Sequence, residues 1–370
     1  PGARASAPLT GGTFAPARPG GNFAALLSYG DVTVGGIGTT TYVCNGRALA
    51  FGHPAFFTGR SAMGANDADA LAIVPGLIGS FKLANITDPL GRVDQDRLAG
   101  LRAKLGVAPR LIPITSSMTA LDLGITREGR TDVTAPSFLP VLSRFHLYAN
   151  FDSVVDAIGP GGSKLRWTIK GRRGNGDPFE LTRGNRYASR EDIAFFSVQD
   201  LSNDLATILD NPFENVKFDG VEIDADVTDA YRVYVLETVK ISKNGGPFTE
   251  RTTLRLRVND QVVIRASLRQ FRGETRKVDL AFTVRPDAIG DGSLIIGRNE
   301  FDFPWPGSDP TPGDDFDGML AALDGQARND DLSARLQTFG PTGVQETMLG
   351  KKRLDQVISG LIEIPTVVTP

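Results

Sequence analysis

Between residues 165 and 284 the apolar positions recur at every second residue. Leu165, Trp167 and Ile169 are separated by polar or charged neighbours. The same alternation returns at Val221, Ile223, Ala225 and Val227, at Leu254, Leu256 and Val258, at Ile264, Ala266 and Leu268, and at Val278, Leu280, Phe282 and Val284. A period of two sends one face of each segment inward and the other into water, the pattern of strands in antiparallel sheets. Turn formers such as Asn244-Gly245-Gly246 separate the segments, and this spacing predicts an Ig-like β-sandwich over residues 151–300. One helix is expected to interrupt it. Ser189 would cap that helix, Asp192 would complete a capping box, and Ile193, Phe196, Leu201, Leu205 and Ile208 follow at near-helical spacing.

Residues 23–150 read as short strands joined by glycine-containing loops. The clearest are Phe23–Tyr29, a hairpin over 39–51, Ala70–Val74 and Arg110–Ile114. Dense short strands without long helices between them predict a barrel or a sandwich. His146, which alternates with aromatic and aliphatic neighbours, is expected on a strand of this region. Residues 1–22, rich in Gly, Pro, Ala and Ser, predict an extended N-terminal arm. Residues 301–370 divide into a Pro/Gly/Asp linker over 302–315, a short helix over Phe316–Leu323 with Asp315 at its positive end, and a strand over Leu361–Val368. Pro365 predicts that this last strand lies at a sheet edge. The expected fold class is therefore mainly β, a barrel followed by an Ig-like sandwich, with a few short helices.

The hairpin is the most specific local feature. Thr39–Val43 is β-branched or aromatic, Asn45-Gly46 is a strong two-residue turn, and Arg47–Phe51 returns. His53 follows between Gly52 and Pro54, where a loop projects the side chain. It is one of only two histidines in the chain, and a rigid hairpin end is how a general base is presented.

The run Gly38-Thr39-Thr40-Thr41-Tyr42, with Gly46 and then Ala50-Phe51-Gly52-His53-Pro54, resembles the histidine motif of the SpoIVB-type serine peptidases, which are chymotrypsin-like β-barrel enzymes. Gly30-Asp31-Val32 before the hairpin, and Ser80-Phe81-Lys82 and Asp94-Gln95-Asp96-Arg97 after it, extend the resemblance over residues 20 to 120. The resemblance implies a chymotrypsin-like barrel for 23–150 and the catalytic-base position for His53. Such an enzyme also needs an orienting carboxylate, and a serine beside backbone N–H groups that form an oxyanion hole. Asp94 and Asp96 are the candidate acids, the competing assignment being pairs with Arg92 and Arg97 on a solvated turn. The nucleophile motif Gly-x-Ser-Gly-x-Pro is missing: the one Ser-Gly pair is Ser359-Gly360, with Val357 where the first glycine belongs. Ser61 and Ser80, both in glycine-containing loops, are the substitutes, and turn hydrogen bonding is their competing role.

Composition narrows the remaining classes. With 41% hydrophobic and 22% charged residues over 370 positions, the chain can bury two or three cores. The net charge is −3, and no basic run with interleaved aromatics occurs, which argues against nucleic acid as a partner. Two histidines and one cysteine, Cys44, cannot assemble a zinc site or a disulfide framework. The acidic stretch Asp309–Asp317 lacks EF-hand spacing, and Gly35-Gly36-Ile37-Gly38 and Gly159-Pro160-Gly161-Gly162 are not phosphate loops. No cofactor or metal is expected. No apolar run reaches membrane-spanning length. The start at Pro1, with neither Met nor an apolar core, together with the peptidase resemblance, points to a processed, exported bacterial protein, secreted or at the cell surface. Three functions fit: a peptidase-like domain lacking the standard serine; an active serine endopeptidase with His53 as base; or a non-catalytic surface subunit that binds a protein or self-assembles through its terminal arms.

Overall fold

The structure, a computed structural model, describes residues 13–76, 79–298, 313–340 and 343–370. It is mainly β, as the alternation predicts, with several sheets. It divides into two compact units. One is built from residues up to Ala157 with Arg166–Thr182 and Val198–Ala225, and the other from Ile158–Leu165, Arg183–Ser197 and Asp226 onward.

The first unit begins with β1 (Asn22–Leu26), β2 (Ser28–Gly30), β3 (Gly35–Cys44), β4 (Arg47–Ala50), β5 (Gly59–Arg60), β6 (Gly64–Val74), β7 (Phe81–Arg97) and β8 (Gly100–Leu105). Antiparallel pairing runs β7-β6-β1-β3-β4-β8 and returns to β7, so the ring of hydrogen-bonded strands closes, and β5 adds to β7. Small inward side chains let the ring be narrow. Ala48, Ala50, Ala65 and Ala103 are buried beside Leu26, Val93 and Leu101, and the residues between them on β4 and β8 point outward. The expected strand over Phe23–Tyr29 breaks at Leu27. β1 belongs to the ring, whereas β2 pairs with a strand of the next sheet.

That sheet has the order β12-β11-β13-β9-β10-β2, where β9 is Ile112–Ala120, β10 Ile125–Val133, β11 Gly161–Arg172, β12 Pro178–Ser189 and β13 Lys217–Thr228. Helix α1 (Leu139–Val155) packs on β9 and β10 and beside a helix at Gln199–Leu209. His146 sits on α1, not on a strand. Its four-residue alternation fits a helix equally well, because Leu142, Leu147, Phe151 and Val154 supply an apolar side and Ser143, His146 and Asn150 are buried too. The single helix expected over 193–208 is two, α2 (Ile193–Ser197) and α3 (Gln199–Leu209). Ser189 Oγ accepts from the N–H groups of Glu191 and Asp192 and so closes the preceding turn, while Asp192 Oδ1 accepts from Phe195 N–H and caps α2. Within the first unit, Trp167 is buried and its Nε1–H donates to Asp204 Oδ2 at 2.8 Å.

The second unit holds β14 (Val233–Lys243), β15 (Leu254–Arg257), β16 (Gln261–Gln270), β17 (Thr275–Thr283), β18 (Gly290–Arg298), α4 (Phe316–Gly325), β19 (Asp331–Gly340), β20 (Gly343–Arg353) and β21 (Val357–Thr369). Its sheet runs β17-β16-β14-β21-β18-β19-β20, with β15 on β21. The alternating apolar residues of β15, β16 and β17 fill its core with Leu294, Ile296, Leu332, Leu336 and Ile364. Asp315 caps α4, as expected, by accepting from Gly318 N–H at 2.7 Å. The strand β21 is central and not an edge. It pairs antiparallel with β18 along Gly360–Val368, and parallel with β14 at Val357–Ser359 and with β15 at Thr366–Thr369. Pro365 falls between the two parallel pairings, where its missing N–H interrupts no ladder on that side.

Candidate functional site

The β3–β4 hairpin is held as its sequence requires. Asn45 and Gly46 both have positive φ, 48° and 68°, the geometry of the tight two-residue turn that Asn-Gly favours. At the other end of β4, Phe51 adopts φ 76° and Gly52 φ 77°, so the chain reverses sharply and sets His53 outside. A bulky residue at positive φ is an outlier that its surroundings must enforce. Here the Phe51 ring lies where a side chain on Gly38 would stand and meets the Phe23 ring edge-on at 6.1 Å. The two glycines at 36 and 38 therefore form the seat of Phe51. A Gly38→Ala change is expected to cost about 1–3 kcal/mol, since its Cβ must displace the ring. Gly36→Ala, whose Cβ would meet the same ring at 3.5 Å, is expected to be near neutral. Denaturant midpoints of the two variants check this.

His53 is exposed, with its ring 5.5 Å from that of Phe51. Its Nδ1 lies 2.8 Å from the carbonyl oxygen of Pro54. A carbonyl only accepts, so Nδ1 carries the hydrogen, and in the neutral ring the lone pair is on Nε2. This tautomer can take a proton from a nucleophile brought to Nε2.

Asp96 lies fully buried beneath the loop that follows. Its Oδ1 accepts from Ala55 N–H at 3.0 Å, and its Oδ2 accepts from Phe56 N–H at 2.9 Å, Thr58 N–H at 3.2 Å and the Thr58 hydroxyl at 3.4 Å. The carboxylate thus clamps residues 55–58 and holds Phe57 at φ 57° with its side chain 66% exposed. Asp94 occupies a β-bulge in β7 opposite β8. Both its oxygens receive Arg102, at 2.8 Å each, and Lys104 lies 3.8 Å away. The Arg102 hydrogen bonds hold its carboxyl below the usual range. Its partners are these, not the Arg92 or Arg97 suggested by sequence proximity. Ser61 Oγ accepts from Met63 N–H at 3.4 Å, a turn contact, and Ser80 is exposed in the loop before β7. Among the described residues, no hydrogen bond joins the His53 ring to Ser61, Ser80, Asp94 or Asp96.

The second histidine has a polar setting that the sequence did not disclose. His146 is fully buried on α1, with Nδ1 2.9 Å from Thr131 Oγ1 and Nε2 2.9 Å from Ser116 Oγ. Asn150 Nδ2–H donates to the His146 carbonyl, and Asn150 Oδ1 accepts from Arg127 Nε–H, whose guanidinium also meets Asp31. Burial pushes the His146 imidazole down to about 4, the nearby Arg127 acting in the same direction and Asp31 opposing. Ser116 is 2% exposed, so this Ser–His contact is closed to substrate and serves to join β9, β10 and α1.

No family model, curated protein or solved structure matches the chain. Among the described residues there is no group of three or more metal-ligating side chains, and no helix is long and apolar enough to cross a membrane.

Proposed function

We propose that the chain is an exported bacterial protein carrying a SpoIVB-type, chymotrypsin-like barrel that has kept its histidine and lost its nucleophile, so that it binds protein without cleaving it. The observation that carries this reading is the isolation of His53. Its Nδ1–H is spent on the neighbouring carbonyl, Asp96 is committed to the 55–58 loop, and Asp94 is committed to Arg102. A triad needs the carboxylate on Nδ1 and the serine on Nε2; neither contact is present among the described residues. The Ig-like sandwich expected over 151–300 is kept for the strands around the apolar core of the second unit, since β11–β13 pair with β9 and β10 instead, and is read as serving display or assembly at the cell surface.

The free Nε2 favours the other reading, an active endopeptidase, in one respect: it is the atom a general base would use. Labelling with a fluorophosphonate probe separates the two. The expected result is no labelling of either the wild type or His53→Ala. A wild type that labels while His53→Ala does not would establish the endopeptidase instead.

A further inference from the structure

The outward residues of the barrel form a charged face that no stretch of sequence contains. Strand register sets them in rows: Tyr42 stands opposite Leu49, Leu49 opposite Arg102, Arg102 opposite Gln95, and Gln95 opposite Arg60. A second row places Arg47 opposite Lys104, and Lys104 opposite Arg92. Arg97 joins the first row through a hydrogen bond from its Nε–H to Gln95 Oε1 at 2.9 Å. The residues between them, Ala48, Ala50, Val93, Leu101 and Ala103, are buried inside the ring, so the six cations alternate to the outer face, Arg92 half-buried with its Nε enclosed.

Asp94 is the one acidic side chain set against them on these strand segments, and it is already satisfied by Arg102. Arg47 and Arg60 are exposed and form no hydrogen bond or ion pair among the described residues. The face opposes the charge of the whole chain, which is −3. Six cations around one carboxylate within a few strand spacings create a field that attracts a polyanion and speeds its encounter. The first row ends on Tyr42 and Leu49, which are 56% and 46% exposed. An acidic polypeptide can cover this apolar end with a side chain while its carboxylates meet the arginines.

We propose that this outer face of β3, β4, β8, β7 and β5 docks an acidic polypeptide segment, its carboxylates on the arginines and an apolar side chain over Tyr42 and Leu49. The docking stands whether or not His53 acts as a base, because none of these residues contacts the imidazole.

Fluorescence anisotropy with a labelled peptide of alternating Glu and Leu tests it on the full chain, alongside a single-stranded oligonucleotide of equal charge. The peptide is expected to bind more tightly than the oligonucleotide and to weaken as salt is raised. Arg47→Glu with Arg60→Glu is expected to weaken it roughly tenfold or more. Leu49→Ala is expected to weaken the peptide and leave the oligonucleotide unchanged. Circular dichroism checks that the variants fold; Arg60 forms no side-chain hydrogen bond or ion pair and Arg47 has only a through-space attraction to Asp94 to lose, so folding is expected to survive. Absence of peptide binding, equal binding by the double variant, or tighter binding of the oligonucleotide would each overturn the assignment.

Discussion

Asp96→Ala is expected to destabilise the first unit by about 3 kcal/mol or more, the largest single-residue effect this barrel offers. The carboxylate is fully buried, and three backbone N–H groups and a hydroxyl depend on it. Alanine leaves these four donors without their acceptor. It also releases the clamp that keeps Phe57 at positive φ, so the loop beside His53 is expected to relax as stability falls. Asp96→Asn keeps one acceptor oxygen but turns an NH2 group towards donors, and should recover only part of the loss. Denaturant unfolding followed by Trp167 fluorescence reports on this unit, using a reference chain in which Trp305 is replaced by Phe. A loss below about 1 kcal/mol would show that the loop does not depend on its clamp.

The second large effect is a loss of stability in mild acid through His146. Its imidazole titrates near 6.5 when unfolded and is pushed down to about 4 in the fold. Between those values the unfolded chain binds a proton that the folded chain refuses, so stability falls as pH is lowered through this window and levels off below it. The contribution lost is about 3 kcal/mol. Burial is the main reason the proton is refused; two hydroxyls and an amide touch the ring, and the charged Asp31 and Arg127 nearby act in opposite directions. In His146→Gln the slope of unfolding free energy between pH 6.5 and 4 is expected to flatten relative to wild type. Equal slopes in the two proteins would place the acid sensitivity elsewhere. The paired carboxylates, Asp94 and Asp279 among them, are held below their ordinary range and lose their contribution only at lower pH.

Much of the secondary structure was legible because it rests on local rules. The alternation at 254–268 and 278–282, the Asn45-Gly46 turn and the Asp315 cap each need only neighbours in sequence, and each is found where expected. What was not legible depends on partners far along the chain. Pro365 reads as an edge residue until the split pairing of β21 with β14 and β15 is known. His146 reads as a strand residue until α1 brings it between Ser116 and Thr131. Asp94 and Asp96 sit two positions apart, yet one faces Arg102 and the other lies buried under the 55–58 loop, because a bulge between Val93 and Gln95 resets the alternation. The basic face is the clearest case. Arg47, Arg60, Arg92, Arg97, Arg102 and Lys104 look dispersed along the chain, and only the pairing of four strands collects them.

The position of β21 also bears on how this protein is made. Its partners β14 and β15 precede it by more than a hundred residues, at Val233↔Val357 and Leu254↔Thr366. Until β21 is made, β14, β15 and β18 each lack the strand that pairs with them there. Unpaired strand edges recruit other strands, including those of neighbouring nascent chains. Long-range pairing of this kind also makes closure slow. The edges of β14, β15 and β18 that face β21 are therefore the last of this sheet to be covered as the chain is made.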